Sequence, residues 1–544
     1  MSIREIYSSI QKNEWRFIAI VAVVIIMITA IPYVYGAFHV SEGATYTGLH
    51  YLTPGDTNTY LATIQAVAEN TNSFINLYTS EAQRPLYVNP LWTTLGLSAR
   101  WTGLSALAVF HIARSVLAAA FIVLMYMVLA TFFTSKRMRK AGLLFIVFTS
   151  GLGAFFAPLF YSVTQPEHRP VDIWVPESIP FLTLYHSPHL IFSLILLVTV
   201  FFLMRLAFTH QRMSYAACAG IAGCILVWAH PFHAPTVVVV LGMYVLVSSI
   251  IERRILWSWI RMYILFGILL IPAVAYLFII RHLDAVIAQW TAGNILPSPS
   301  PVMYVVAFLP LGIFAIYALR PGLFKNESTR FAIVWLIMSA VLVYVPVDFQ
   351  RRMIEGLYIP LGILATIGFF HIWQGTFAKR YGHALRTILI ISCAVFLPMT
   401  NIQMVGQDIY LYKHMEGLPY ELSADEQHAL AWLHEQTPIH SVVLTSHYFG
   451  NFIPPYTLRR AYIGHGPQTI DLPRKAREVS AFYTGAWSLF TMQEFLEFNR
   501  IGYIYVGTKE RAYGNMIDFT ILPFLTEVFS SSSVQVYQVT LAQP

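Results

Sequence analysis

The sequence predicts a polytopic α-helical membrane protein with a C-terminal α/β domain outside the membrane, and three observations support this class. Of the 544 residues, 57% are hydrophobic and only 11% are charged, whereas soluble globular domains carry about 25% charged residues. Apolar runs of membrane-spanning length recur between residues 17 and 405. The last 139 residues contain no such run and have 9 Lys or Arg beside 13 Asp or Glu. This composition excludes an ordinary cytosolic enzyme, and three cysteines exclude a disulfide scaffold.

Eleven segments are long and apolar enough to cross a bilayer, which takes about 20 residues of α-helix. The predicted spans lie near residues 17–37, 104–133, 141–161, 187–208, 215–230, 235–251, 258–280, 301–319, 331–347, 357–373 and 387–405. The first span follows a basic N-terminus. We expect a retained anchor there, because Tyr35-Gly36-Ala37 is not a small-x-small cleavage site.

The fifth and sixth predicted spans form one apolar stretch, residues 215–251, that is too long for a single crossing. The segment His230-Pro231-Phe232-His233-Ala234-Pro235 interrupts it. Proline lacks an amide hydrogen and clashes with the preceding helical turn, so two prolines here predict a tight helical hairpin.

Lys and Arg are distributed unevenly over the loops between the predicted spans. One set of alternate loops holds 18 of them and the other set holds 7. Cytoplasmic loops carry the excess of positive charge, so we expect a cytoplasmic N-terminus in the plasma or inner membrane. Eleven crossings then place the C-terminal segment on the extracytoplasmic side. Since topology accounts for the net charge of +7, no nucleic-acid partner is expected.

We therefore predict a multi-span catalytic domain at residues 1–405, with a long first outer loop at 39–89, and a soluble extracytoplasmic domain at 406–544. In the second domain, short apolar segments alternate with helical patterns, which is typical of a small α/β domain. The predicted helices cover residues 425–436, 474–482 and 491–498, and the predicted strands cover 442–444, 461–463, 503–506 and 534–539.

Asp56 is the candidate catalytic residue of the first outer loop. It stands in Thr53-Pro54-Gly55-Asp56-Thr57, where Pro-Gly-Asp predicts a turn and Thr57 a helix start. Asp56 is then a natural N-cap of that helix. Alternatively, a carboxylate at the mouth of a membrane cavity can act as a general base. Local sequence leaves both interpretations open.

The second outer loop brings Glu167, His168 and Asp172 close together. Carboxylate and imidazole groups at this density are candidate ligands of a divalent ion, although a solvated loop explains them equally well. Capping or turn hydrogen bonds are the simpler interpretation of the histidines at helix ends, which are His186, His189, His230 and His233.

Two adjacent arginines, Arg351 and Arg352, lie between the ninth and tenth predicted spans, on the side where positive charge is scarce. Guanidinium groups match phosphate oxygens bidentately, so the pair is a candidate anion site. Pairing with Asp348 and Glu355, or with lipid head groups, is the structural alternative. Other outer arginines that add positive charge are Arg84 and Arg281.

These features together resemble the GT-C glycosyltransferases, which include the protein O-mannosyltransferases, the oligosaccharyltransferases and the bacterial aminoarabinose transferase. Gly55-Asp56 followed by Tyr60 is similar to the start of that superfamily's first outer loop. Phe349-Gln350-Arg351-Arg352 resembles a stretch of uncharacterised bacterial members. Many members have an acidic pair where this chain has Asp56-Thr57, so a metal-independent base and a metal site both stay open. Because span number varies across the superfamily, the resemblance allows up to about 13 spans.

The resemblance implies transfer of a sugar from a polyprenyl-phosphate donor to a hydroxyl of a glycan, lipid or protein at the outer face of the bilayer. Asp56 would be the base, and one base without a nucleophilic carboxylate implies inversion. Arg351, Arg352 and Arg84 would bind the donor phosphate. The implied acceptor-binding or auxiliary residues are Tyr60, Glu167, His168, Asp172, His189 and Glu355. A divalent cation (Mg²⁺, Mn²⁺ or Zn²⁺) stays open as cofactor, with Asp56, Glu167 and His168 as its candidate ligands.

Two other functions are compatible with a polytopic chain. A transporter or lipid flippase is disfavoured, because the prolines that interrupt the predicted spans have no twofold spacing. A polymerase or ligase of lipid-linked glycans would also use outer arginines, but it would not require Asp56.

Overall fold

The computed structural model describes residues 2–69, 74–160, 168–320, 322–374, 376–514 and 517–540. The chain divides into two compact units. The first comprises Met1–Pro32, His111–Leu277 and Ile295–Asp408. The second comprises Tyr33–Phe110, Phe278–Asn294 and Ile409–Pro544.

Helices dominate the described residues, as predicted. In chain order they are α1 (Ile3–Ser9), α2 (Lys12–Phe38), α3 (Pro54–Ala68), α4 (Pro90–Thr102), α5 (Ala106–Phe132), α6 (Lys136–Phe148), α7 (Gly153–Phe160), α8 (Pro180–His186), α9 (Pro188–His210), α10 (Met213–Ala229), α11 (Ala234–Ile251), α12 (Trp257–Leu283), α13 (Ala285–Gly293), α14 (Pro301–Ala318), α15 (Glu327–Leu342), α16 (Tyr358–Gln374), α17 (Thr376–Phe396), α18 (Met399–His414), α19 (Ala424–Gln436), α20 (Ile453–Thr457), α21 (Leu472–Tyr483), α22 (Leu489–Phe498) and α23 (Thr508–Arg511).

Nine helical segments among the described residues are long and apolar enough to cross a membrane, which confirms the prediction of a multi-span protein. They are Lys12–Phe38, Ala106–Phe132, Lys136–Phe156, Pro188–His210, Pro231–Ile251, Trp257–Leu283, Pro301–Ala318, Gln350–Gln374 and Arg386–His414. The other two predicted spans coincide with α10, which has 17 residues, and α15, which has 16. The count of eleven stays a prediction.

The predicted helical hairpin is present in the first unit. Helix α10 ends at Ala229, a 3-10 turn covers Pro231–His233, and α11 begins at Ala234. The amide of His230 still donates to the carbonyl of Leu226, at 2.7 Å. Pro231 has no amide to continue this ladder, so the helix stops there.

A second 3-10 turn, Gln350–Ile354, precedes helix α16 in the same unit. Gly356 links the two with a φ of 83°, a conformation that favours glycine because it has no side chain. A Cβ atom at Gly356 would lie 2.6 Å from a methyl carbon of Leu197. The turn is anchored by Met353 and Ile354, which are buried in a hydrophobic cluster with Val171.

The second unit contains a five-stranded mixed sheet, which agrees with the predicted strands. The strands of the described residues are β1 (Thr45–Tyr46), β2 (Glu421–Leu422), β3 (Val442–Leu444), β4 (Arg460–Ala461), β5 (Ile501–Val506), β6 (Leu525–Ser530) and β7 (Gln535–Val539). Five of them form this sheet, in the spatial order β4-β3-β5-β7-β6. Strand β3 pairs in parallel with β4 and β5, and β7 pairs antiparallel with β5 and β6. The sequence had not predicted β6. The predicted helices of this segment are confirmed as α19, α21 and α22.

Part of the first outer loop docks against this sheet within the second unit. The amide of Ala461 donates to the carbonyl of Leu77 at 2.8 Å, and the guanidinium of Arg460 donates to the carbonyl of Thr79. Lys475, fully buried, pairs with Glu81 at 2.9 Å. The loop and the C-terminal segment therefore belong to one compact unit. The predicted domain boundary at residue 405 had grouped the loop with the spans, and that boundary stays a prediction.

Candidate active site

Asp56 lies in the first turn of α3, which corrects the sequence prediction. The helix begins at Pro54 rather than Thr57, so Asp56 is not its N-cap. The cap position falls on Thr53, whose φ of 45° is left-handed and whose side chain makes no capping bond. Pro54 explains the earlier start, because proline is preorganised for the first helical position. A carboxylate in the first turn is favoured by the helix dipole.

The carboxylate of Asp56 contacts a histidine from the C-terminal part of the same unit. His465 Nε2 lies 2.8 Å from Asp56 Oδ1, and the two side chains are 10% and 31% exposed, respectively. The backbone at Gly55 approaches closely, since an added Cβ would lie 3.0 Å from both Asn451 and His465. An imidazole with Nε2 protonated donates to the carboxylate and holds it in place. From the sequence alone, His465 is only a candidate contact for an acceptor or for the membrane domain.

Tyr60 lies one helical turn after Asp56 and stacks on Trp92, with ring centroids 4.7 Å apart. A cavity of about 260 Å³ opens beside the next part of α3. It includes Thr59 of α3 and Tyr78, whose ring packs against His465. The polar residues along its wall are Thr59, Thr63, Glu69, Tyr78, His440 and Gln468. The cavity and the Asp56–His465 pair are therefore adjacent, because Tyr78 lines the cavity and contacts His465. The cavity wall offers hydroxyl, amide and carboxylate groups.

Arg84, predicted to bind a phosphate, is an exposed residue of the second unit. Its backbone amide donates to Asp284 Oδ2 at 2.5 Å. Asp284 also caps α13 through the amides of Val286 and Ile287. This network holds the backbone at Arg84.

Arg351 and Arg352 lie in the 3-10 turn of the first unit. Arg352 forms an ion pair with Glu177 at 3.3 Å, with side-chain exposures of 21% and 7%, and its guanidinium lies over the Phe232 ring at 4.8 Å. Arg351 lies over the Trp174 ring at 4.5 Å. Aromatic faces and a carboxylate hold the two guanidinium groups in fixed positions.

Asp172, an expected auxiliary residue, is completely buried in the first unit. One carboxylate oxygen accepts from the amide of Gly153 at 3.0 Å and from the Thr400 hydroxyl at 2.9 Å. Burial raises the pKa of Asp172 to about 6. These contacts join the 3-10 turn that contains Asp172 to helices α7 and α18, so the geometry favours a structural role for Asp172.

Glu355 is also fully buried, and it faces two histidines of the helical hairpin. Its carboxylate lies 2.8 Å from His233 Nε2 and 3.6 Å from His230 Nδ1. Ser193 donates to its other oxygen at 2.7 Å, and His189 packs edge-on against His230. Sequence reasoning treated these histidines as capping or turn groups and missed the cluster. The available signal was the i, i+3 spacing of His-Pro-Phe-His.

The remaining predicted residues are His168 and Glu167. His168 is exposed, and Glu167 lies outside the described residues. Asp56 belongs to the second unit and His168 to the first. The predicted cation set of Asp56, Glu167 and His168 stays a prediction, as does the convergence of Asp56 with Arg351 and Arg352.

No family model and no curated protein matches the sequence. Solved structures do match it. ArnT from Cupriavidus metallidurans in the apo state is 11% identical with a TM-score of 0.53, over 94% of this chain and 97% of that chain. ArnT bound to undecaprenyl phosphate is 12% identical with a TM-score of 0.50, over the same shares. The Archaeoglobus fulgidus oligosaccharyltransferase AglB, in complex with an inhibitory peptide and a dolichol-phosphate, is 12% identical with a TM-score of 0.53, over 91% of this chain and 70% of that chain.

These similarities extend over nearly the whole chain, although few residues are identical. The chain therefore has the fold of the GT-C glycosyltransferases, as its sequence features suggested.

Proposed function

We propose that this chain is a membrane glycosyltransferase that transfers a sugar from a polyprenyl-phosphate donor to an acceptor hydroxyl. The observation that supports it best is the Asp56–His465 pair, at 2.8 Å, on a GT-C fold. A carboxylate that is held by a histidine and still 31% exposed is suited to accept a proton from a substrate. The aminoarabinose transferase and oligosaccharyltransferase of this fold are described with undecaprenyl phosphate and dolichol-phosphate.

In the proposed reaction, Asp56 takes the proton of the acceptor hydroxyl while the hydroxyl oxygen bonds to the anomeric carbon. The bond between that carbon and the phosphate oxygen breaks, and polyprenyl phosphate leaves with the electron pair. His465 keeps the carboxylate oriented. A single displacement of this kind inverts the anomeric configuration.

Arg351 and Arg352 are the proposed binding groups for the leaving phosphate. Negative charge develops on that phosphate in the transition state. Hydrogen-bond donors that are already in position stabilise this charge without having to reorganise. The ion pair with Glu177 and the stacking on aromatic rings support such preorganisation. Arg84, with its exposed side chain and fixed backbone, is a further proposed donor contact.

The decisive experiment compares Asp56→Asn with Glu494→Gln, a neutralised exposed carboxylate of the same unit. Each full-length protein is reconstituted in nanodiscs with radiolabelled undecaprenyl-phosphate sugars and acceptor membranes, and the label in the acceptor is counted. Because a general base contributes about 10²- to 10⁴-fold, Asp56→Asn should lose transfer by that factor and Glu494→Gln should retain it. Full transfer by Asp56→Asn would refute the proposed role of Asp56. Absence of transfer with every donor in nanodiscs, together with donor scrambling across the bilayer of sealed proteoliposomes, would support the flippase alternative instead.

A further inference from the structure

We propose that His230, His233 and Glu355 bind a divalent cation of the zinc type within the first unit. Each of the three residues offers one ligand atom, and these atoms all lie within 4.8 Å of one another. The inference rests on this cluster alone and does not depend on the proposed transfer reaction.

The backbone explains why the two histidines meet. His230 immediately precedes the 3-10 turn Pro231–His233, and His233 ends it. In a 3-10 helix three residues make one turn, so side chains at i and i+3 eclipse each other. The interruption of the helix at Pro231 therefore places both imidazoles on one face. Glu355 follows the second 3-10 turn, Gln350–Ile354, and its carboxylate lies next to both imidazoles.

The hydrogen-bond inventory of the cluster points to a ligand. His230 and His233 are 2% and 0% exposed. Neither ring nitrogen of His230, nor Nδ1 of His233, has a hydrogen-bond partner among the described residues. Buried polar atoms are almost always satisfied, and an orphaned group often indicates an ion or water. In the proposed site, one ring nitrogen of His230 and one of His233 each donate a lone pair to the cation.

The donor set selects the class of cation. Two imidazoles and one carboxylate are a zinc-type set with one open coordination position, whereas magnesium and calcium prefer oxygen ligands alone. The Ser193 hydroxyl donates to the Glu355 oxygen that does not face the histidines, and such outer contacts orient metal ligands. The guanidinium of Arg352 lies over the Phe232 ring, which packs against His230, and it is paired with Glu177, so its charge is partly neutralised.

A direct hydrogen bond or ion pair between His233 and Glu355 is the competing explanation. It accounts for the contact of 2.8 Å, but it leaves both ring nitrogens of His230 without a hydrogen-bond partner among the described residues. The two explanations differ in metal content, which can be measured directly.

The test uses the full-length chain in detergent, prepared without a polyhistidine tag, equilibrated with Zn²⁺ and freed of loose metal by gel filtration. Metal is then quantified by mass spectrometry. We expect about one zinc per wild-type chain and at least about a tenfold lower content in Glu355→Gln. This substitution preserves side-chain volume and an oxygen for the Ser193 hydroxyl. His282→Gln, which removes an exposed histidine of the second unit, is the control and should retain zinc.

Equal zinc in wild type and Glu355→Gln, or no zinc in either, would overturn the proposal. A second measurement covers the case in which Glu355→Gln does not fold. Wild-type protein equilibrated with Co²⁺ should develop the intense visible absorption of a tetrahedral site, and added Zn²⁺ should abolish it. Wild-type protein without that absorption would also refute the site.

Discussion

The Nε2 atom of His465 lies 2.8 Å from Oδ1 of Asp56, although 409 residues separate the two along the chain. The carboxylate comes from the first turn of a helix in the outer loop, and the imidazole comes from the segment just after strand β4. A Cβ atom at Gly55 would lie 3.0 Å from side-chain atoms of both Asn451 and His465, so the backbone next to Asp56 approaches the imidazole closely. The position of the proposed base is thus set by two distant parts of the sequence.

Removal of the His465 imidazole should impair turnover more than binding. A hydrogen bond to a charged group contributes about 1.5–3 kcal/mol, so His465→Ala should lower kcat about 10- to 100-fold with little change in donor KM. His465→Gln, whose amide nitrogen reaches the place of Nε2, should recover most of the activity. Steady-state transfer kinetics measure both effects. Equal loss in both variants together with a lower unfolding temperature would indicate a merely structural role.

Arg352→Lys should weaken donor binding. The lysine keeps the charge but loses the planar fork that matches phosphate oxygens, so donor KM should rise about tenfold. Arg137→Lys, an exposed arginine of the same unit, is the matched control and should leave KM unchanged. Initial rates over a range of donor concentrations measure the difference. An unchanged KM in Arg352→Lys would exclude this arginine from the donor site.

Asp172 predicts a pH dependence of stability. Its folded pKa of about 6 is above the ordinary value of 3.8, so the folded state binds the proton more tightly than the unfolded state. The stabilisation is present below pH 4 and is lost as pH rises through about 6. Asp172→Asn should therefore match wild type near pH 4 and exceed it by up to about 3 kcal/mol above pH 7. Unfolding midpoints in detergent across this range test the prediction, and a constant difference would contradict it.

The buried Lys475 should contribute strongly to the stability of the second unit. Lys475→Met removes the partner of Glu81 and the ammonium group that lies over the Tyr462 ring at 4.7 Å, while it keeps an unbranched apolar side chain in the buried position. Breaking a fully buried pair costs about 3–5 kcal/mol. Because Glu81 is 32% exposed, we expect about 2 kcal/mol. Arg474→Met, which removes a more exposed charge from the same helix, should have a smaller effect on the unfolding midpoint.

The predicted topology can be tested by cysteine labelling. In a background with the native cysteines replaced by alanine, Glu497→Cys on α22 and Arg137→Cys on α6 each introduce one exposed thiol. A membrane-impermeant maleimide should label Glu497→Cys in intact cells, because the C-terminal segment is predicted outside. It should label Arg137→Cys only after permeabilisation. The reverse pattern would invert the orientation.

Local patterns predicted the helical elements well, and long-range contacts account for what they missed. The hairpin at Pro231 followed from the loss of one amide, which is a local effect. The approach of Glu355 to His233 spans 122 residues, and no spacing rule indicates it. The predicted helix start at Thr57 was wrong because Pro54 was interpreted as a turn residue, although proline also favours the first helical position.

Strand β6 and His465 illustrate two other reasons for missed features. Leu525–Ser530 is an edge strand in which three side chains are exposed and three are half-buried, so it lacks the apolar alternation by which strands are recognised. His465 is one of 18 histidines, and only the folded chain distinguishes it. The fold class was predictable from composition, whereas the partner of Asp56 was not.

The hydrogen bonds that join Leu77 and Thr79 to strand β4 have a consequence for biosynthesis. The outer loop emerges from the ribosome well before the groups that complete it, since Arg460 follows Thr79 by 381 residues. Chains that terminate before Arg460 would insert their apolar helices into the bilayer but leave the carbonyls of the loop without these protein partners. Such products should therefore lack transfer activity, because the proposed base is translated 409 residues before its histidine.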